Sequence, residues 1–461
     1  MKSRIVSCAW ACVLCLLTAG LETGPATHPR HASFSNDVAP ILLRRCLECH
    51  GPKKSKGKFR LDTYQRLTRS GESDEPSITP GSPARSKLFQ LISTTDEDDR
   101  MPKKADPLPA NEVLLIKQWI EQGARFDGAD PSVTLTAIVP RDQHARAPQV
   151  YQRPVPITAL AFSPDGKELA ASGYREVTIW DPSNGKLVGR IGGLAERTWS
   201  IGYSPRENLM VVAGGTPAKV GEVRLCDPAA RSSGRVIESI ADMMLVARFS
   251  PDGRKLAAAG ADSAIGLYDV TSGKREWLIE QHADWVTDLA FSPDGARLAS
   301  ASRDKSARIF DAATGSMLAA YLGHENAVLT VAWSEDGKVI YSAGQDRTIH
   351  IWNATDARKA GRIDGFDGEL YKIDAAMGML FAGSTDGIVR EYSTRNRKLV
   401  RAFEPAGDWV YCVAVDPNHH LVAAGYYNGQ VRVWNIDTGG LVVSFFAAPG
   451  FHAGGSASSP R

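Results

Sequence analysis

The sequence predicts a multidomain chain: a small α-helical domain first, then a larger all-β domain built as a seven-bladed propeller. Two patterns lead there. Between 32 and 127, apolar residues recur at helical spacing in two places. From 151 to 447 a period of 40 to 46 residues takes over, marked by Trp180, Cys226, Tyr268, Phe310, Trp352, Tyr392 and Trp434. Short apolar runs with turn signals between them, at that period, mean four-stranded blades around an axis.

In the first helical pattern, Val38, Ile41 and Leu42 share a face, with Asn36 available as a cap and Pro40 tolerated in the first turn. In the second, Val113, Ile116 and Ile120 share a face beside Trp119, and Gly123 ends the helix. Residues 128–150 read as a polar, proline-bearing linker able to donate one strand to the β region. In that region the turn Ser-Pro-Asp-Gly begins at Ser163, Ser250 and Ser292, with variants at Ser204 and Ser334. The one long interval is expected to hold an extra loop from Gly214 to Gly221. Residues 448–461 read as a disordered tail.

The N-terminus reads as an export signal over residues 1–26. Lys2 and Arg4 precede an apolar stretch from Ile5 to Ala19, with small residues at Ala19 and Gly20, or Gly24 and Ala26, for cleavage. The stretch is short for a membrane span, although an uncleaved anchor is the alternative. The expected location is therefore periplasmic or at the cell surface, with no integral membrane span in the mature chain. A formal net charge of +2 gives no reason to expect nucleic acid as a partner. Beyond the signal only Cys46, Cys49, Cys226 and Cys412 remain; the last two read as small buried apolar residues rather than a disulfide.

Cys46-Leu47-Glu48-Cys49-His50 is a C-x-x-C-H pentapeptide, the attachment signature of c-type haem. Two thiols add to the two vinyl groups on one porphyrin edge, and the next residue brings an imidazole to the iron. With 7 Cys and 10 His among 461 residues, only about 0.002 such matches arise by chance. A thioredoxin-like pair or half a zinc site would need a βαβ pattern or a second ligand pair, and neither is visible. The expectation is one covalent haem c on Cys46 and Cys49, with His50 as proximal iron ligand. Met101 is the one Met between His50 and the linker, in a stretch with no other His, and is the expected distal ligand. Five-coordinate iron, or ligation by His28 or His31, is the alternative. Lys53, Lys54, Lys56, Lys58 and Arg60 follow the motif and read either as a basic rim for an acidic redox partner or as a solvated loop.

From Phe34 to Ala124 the sequence resembles the planctomycete-type cytochrome c domain. The matching pieces include Val38 to Leu42, Cys46 to Gly51, Gly57 to Asp62, Pro80 to Pro83, Met101-Pro102, and Trp119-Ile120 with Gly123-Ala124. That resemblance implies a haem c with Met101 as distal ligand; Lys103 departs from it where a second Pro often follows. Residues 150 to 447 resemble the WD40 family, with Trp180-Asp181 as the literal dipeptide. The resemblance implies a structural hydrogen-bonded tetrad, complete in His324, Ser342, Asp346 and Trp352, and lacking its last donor in His282, Ser300, Asp304 and Phe310. Together these readings predict an electron-transfer protein, not a catalyst, whose propeller docks a protein partner. The alternatives are a haem-dependent oxidoreductase with a further site in the propeller, or a haem redox sensor. An enzyme would need ligands at the blade tops. Of His350, His419, His420 and His452, only His419-His420 has a helpful spacing.

Overall fold

The structure is a computed structural model that describes residues 32–52, 54–73, 75–103, 105–128, 130–138 and 144–451. The expected export signal, His28, His31, His452 and most of the expected tail lie outside the described residues. The chain divides at 139/140 into two compact units. No helix among the described residues is long and apolar enough to cross a membrane.

The first unit is helical: α1 (Ala39–Arg45), α2 (Leu47–His50), α3 (Tyr64–Leu67), α4 (Lys87–Ser93), α5 (Ala110–Glu121) and α6 (Leu135–Ile138). Its core is a cluster of Phe34, Tyr64, Trp119 and Phe126, with Phe34 and Trp119 ring centres 5.2 Å apart and Tyr64 and Phe126 4.8 Å apart. The two polar tips in this cluster are satisfied by backbone. Tyr64 donates to the Ala124 carbonyl at 2.7 Å and Trp119 to that of Arg125 at 3.0 Å. Ile116 and Ile120 of α5 are buried as the spacing predicts, and Gly123 follows the helix at φ 98°.

Four boundaries differ from the sequence reading. A π-helical turn, Phe34–Val38, precedes α1, so Asn36 lies inside the helical start rather than capping it. The Asp37 carboxylate instead reaches back to accept from the Ser33 N–H at 2.8 Å. The helical unit also runs past 127. Leu135 is fully buried in its core, and its N–H bonds the Asp62 carbonyl at 2.8 Å. Residues 144–150 join the second unit without forming a strand: His144 bonds Glu222 at 2.9 Å, and Arg190 donates to the Pro148 and Gln149 carbonyls. Finally, the start of the expected tail is ordered. Ala448 is buried, the Tyr151 N–H bonds the Pro449 carbonyl at 2.9 Å, and Phe451 packs edge-on to Phe446.

The second unit is all β. One seven-stranded sheet spans 160–240, and four-stranded sheets span 244–279, 286–321, 328–363, 370–402 and 410–446. Each is an antiparallel meander of consecutive strands. The 17-residue strand Leu187–Tyr203 explains the larger sheet. Residues 187–192 pair with Tyr174–Trp180, and residues 197–203 pair with Met210–Thr216. Leu187–Tyr203 lies beside Met244–Phe249, the first strands of the four-stranded sheets lie beside one another in turn, and Val410–Asp416 returns to Leu160–Phe162, so the sheets close a ring. Residues 214–221 are not an extra loop. They lengthen a hairpin, with Thr216 opposite Val220. Gly214 and Gly221 are required there: a Cβ would meet the Arg197 carbonyl oxygen at 2.1 Å or that of Asp242 at 1.9 Å.

Polar groups inside the sheets are wired as the tetrads predict. His324 Nδ1 bonds Asp346 at 2.6 Å, which makes Nδ1 the protonated nitrogen because a carboxylate accepts. Nε2 then accepts from the Ser342 hydroxyl at 2.7 Å, and Trp352 Nε1 donates to the same oxygen at 3.0 Å. The neighbouring sheet repeats the first two bonds at His282 with Asp304 and Ser300, 2.8 and 2.7 Å. Phe310 there supplies volume but no donor. His350, which no tetrad assigned, lies 4.0 Å from the His324 ring and bonds the Tyr321 hydroxyl at 2.7 Å. Burial and the adjacent His324 push His350 down to about 4, so it is neutral near pH 7. Trp352 is fully buried and stacks on Tyr321 at 5.2 Å. Trp352→Ala is expected to destabilise the β unit by about 3–5 kcal/mol in urea unfolding followed by circular dichroism, through the cavity and the lost donor. A loss below about 1 kcal/mol would show that the ring is not a packing keystone.

Candidate haem-binding site

The site is built on one break in helical continuity. Cys46 ends α1 at φ −126°, and the chain re-enters a helical turn at once as α2. The N–H groups of Cys49 and His50 both bond the Cys46 carbonyl, at 3.2 and 3.0 Å. Gly51 then lets the chain leave tightly, since a Cβ there would meet the Leu47 carbonyl at 2.5 Å.

His50 is fixed on several sides. Its carbonyl accepts from the Leu61 N–H at 2.9 Å, and it forms a β-bridge with Ser55. The Phe59 ring sits edge-on at 5.5 Å. Its Nδ1 lies 3.3 Å from the Phe59 carbonyl oxygen. A carbonyl only accepts, so Nδ1 carries the proton and Nε2 keeps its lone pair. Metal-ligating histidines use this arrangement to fix tautomer and ring orientation.

A cavity of about 270 Å³ opens at this point. Cys46, His50 and Met101 line it together with Phe59, Leu61, Leu88, Leu91 and Ile92. Cys49 is half-buried on α2 and is not among the lining residues. Met101, 51 positions beyond His50 in sequence, reaches the cavity because its N–H bonds the Leu91 carbonyl at 2.8 Å, just inside α4. Cys46 and Cys49 are not joined in a disulfide. These residues fit a haem: one imidazole with a free Nε2, a thioether, two thiols and an apolar wall.

The stretch expected to form a basic rim is largely paired. Lys58 lies 3.8 Å from Glu72 and Arg60 2.9 Å from Asp62, with Lys54 at 4.0 Å from Glu48. Lys53 lies outside the described residues. The β unit's His419 and His420 bond different acids, Asp416 and Asp437, at 2.8 and 2.9 Å, so they are not a paired ligand set. His324, Asp346 and His350 do bring three donor atoms within 4.8 Å, but both nitrogens of His324 are taken by the tetrad.

Burial, with the nearby Glu112 carboxylate adding to it, pushes the Cys46 thiol up to about 12. As a free cysteine Cys46 is therefore a neutral thiol. Expressed without haem, the protein is expected to alkylate with iodoacetamide at Cys46 more than tenfold slower at pH 8.5 than a model thiol with pKa near 8.5. Peptide mapping of the rate checks this, and equal rates would contradict it.

Residues 46–105 match the protein family described as Planctomycete cytochrome C. Residues 149–181, 273–311, 315–353 and 397–435 match the family described as WD domain, G-beta repeat. No curated protein matches the chain. The cavity at His50 thus falls inside the first match and both tetrads inside the second, so the helical unit is similar to the planctomycete cytochrome c domain and the β unit to WD40 repeats.

Proposed function

We propose that this protein is an exported c-type cytochrome that passes electrons to and from partner proteins, its β unit serving as a seven-bladed docking propeller. The observation that carries the reading is the shared cavity of Cys46, His50 and Met101, with the His50 Nδ1 proton committed to the Phe59 carbonyl. Haem bound there supplies reversible one-electron exchange at its iron. Cys46 and Cys49 would hold the group through thioether bonds, and His50 Nε2 and the Met101 sulfur would be the donors to its iron. Phe59, Leu61, Leu88, Leu91 and Ile92 keep water from the donors, which favours electron exchange over chemistry on a bound substrate.

Seven blades are supported by the double pairing of Leu187–Tyr203. Counted once for each neighbour, that strand closes one four-stranded blade and opens the next, and the anchors Trp180 and Cys226 then belong to separate blades. WD40 repeats usually mediate protein–protein contacts, which supports the docking role. The export reading, with a periplasmic or cell-surface location, rests on the charge and apolar pattern of residues 1–26.

Protein purified from cells that attach haem is expected to keep its colour on the polypeptide after acid–acetone extraction. Cys46→Ala or Cys49→Ala should weaken retention, and the double variant should release the group entirely. Complete extraction from the wild type would overturn covalent attachment while leaving a bound haem possible.

A further inference from the structure

A second cavity, of about 330 Å³, lies where the inner strands of the β unit converge. Its chemistry is unlike a sheet core. Arg248 and Lys372 both reach one carboxylate: Arg248 Nη2 lies 3.2 Å from Asp288 Oδ1, and Lys372 Nζ 2.6 Å from Oδ2. Thr330 donates to the same Oδ2 at 2.9 Å, so Asp288 is saturated and its side chain is only 4% exposed. The two cations keep 28% and 19% exposure. Beside them stands Asp374; burial pushes its carboxyl up and the Lys372 ammonium down, each toward its neutral form. By distance, Arg248 and Lys372 share the one carboxylate of Asp288.

Two further donors face the cavity. The indole N–H of Trp199, a lining residue, is buried without a partner. Arg303 lies over the Trp285 ring at 4.5 Å, holding its guanidinium at the wall of the cavity. From the wall an aromatic ledge leads outward. Tyr371 and Tyr411 ring centres are 4.9 Å apart, Tyr411 and Tyr427 5.8 Å, and Tyr427 and Trp409 5.6 Å. Trp409 and Tyr427 are about half exposed. An unpartnered donor and clustered cationic side chains beside flat apolar faces suit a negatively charged acceptor on a planar body.

We propose that this cavity binds an aryl-bearing carboxylate, with the carboxylate at Arg248, Lys372 and Trp199 and the ring on the Tyr371–Tyr411 ledge. The proposal deepens the reading of the β unit as a binding module. Such a carboxylate has two sources: the C-terminus of a partner chain ending in an aromatic residue, or a free small acid.

Calorimetric titration of the full, haem-loaded protein tests it with three probes: N-acetylphenylalanine, its amide, and a tetra-alanyl-phenylalanine peptide acid. Both acids are expected to bind, and the amide at least roughly tenfold more weakly, since an uncharged amide forfeits charge-assisted bonds. A tighter peptide points to a partner's C-terminus; equal affinities point to a free acid. Trp199→Phe keeps an aromatic ring and removes the donor, and is expected to weaken both acids roughly tenfold with an unchanged melting temperature. Arg303→Ala, at the cavity wall and away from the sheet ladders, should weaken them as well. Equal binding of acid and amide, or no saturation of either acid up to roughly 10 mM, overturns the proposal. A protein partner retained in the presence of saturating N-acetylphenylalanine also overturns it as the docking chemistry, yet leaves the docking role of the β unit standing.

Discussion

The bond between His50 Nδ1 and the Phe59 carbonyl, 3.3 Å long, organises the helical unit. A single imidazole can ligate through either nitrogen, and only a fixed partner on one of them decides which. Here the partner is backbone, placed by the turn that leaves Gly51 and returns through Leu61, whose N–H bonds the carbonyl of His50 itself. The histidine and its orienting group therefore hold one another. Cys46 is set by the same economy: one carbonyl, its own, closes the turn for both Cys49 and His50. The aromatic cluster of Phe34, Tyr64, Trp119 and Phe126 supplies the rigidity that this loop-rich arrangement lacks in secondary structure.

The β unit solves a different problem. Inner strands converge at the centre of the β unit, and the polar groups left inside must be paired. The tetrads do this within single sheets, each histidine reading a serine on one side and an aspartate on the other. At the convergence itself pairing crosses between sheets, as Arg248, Asp288 and Lys372 come from three of them. That arrangement ties three neighbouring sheets to one carboxylate.

Much of this is legible in the chain. The pentapeptide at Cys46 fixes chemistry by spacing, the repeat anchors fix the blade period, and the tetrads follow because their members lie within about one repeat of each other. What cannot be read depends on distant pairing. Nothing near Leu135 reveals that its N–H will meet Asp62, so the sequence pattern ends the helical unit too early. The Asp37 carboxylate meets the Ser33 N–H through a bond only the folded turn allows. Gly214 to Gly221 looks like a loop by composition, yet those glycines mark strands pressed against other backbone. The cluster of Arg248, Asp288 and Lys372 spans 124 positions and has no local signature. Met101 shows the intermediate case: composition singles it out, but only its bond to Leu91 at the end of α4 carries it to the cavity.

The central claim is that His50 and Met101 flank one iron, and the weak near-infrared absorption of the ferric protein tests it most directly. A thioether opposite an imidazole gives a band in that region and favours ferrous iron, which raises the potential. The account predicts the band in the wild type, its loss in Met101→Ala together with a lower potential, and its retention in Met210→Ala, a buried substitution in the β unit. A wild-type ferric spectrum without the band, or a Met101→Ala spectrum that keeps it, would contradict the account.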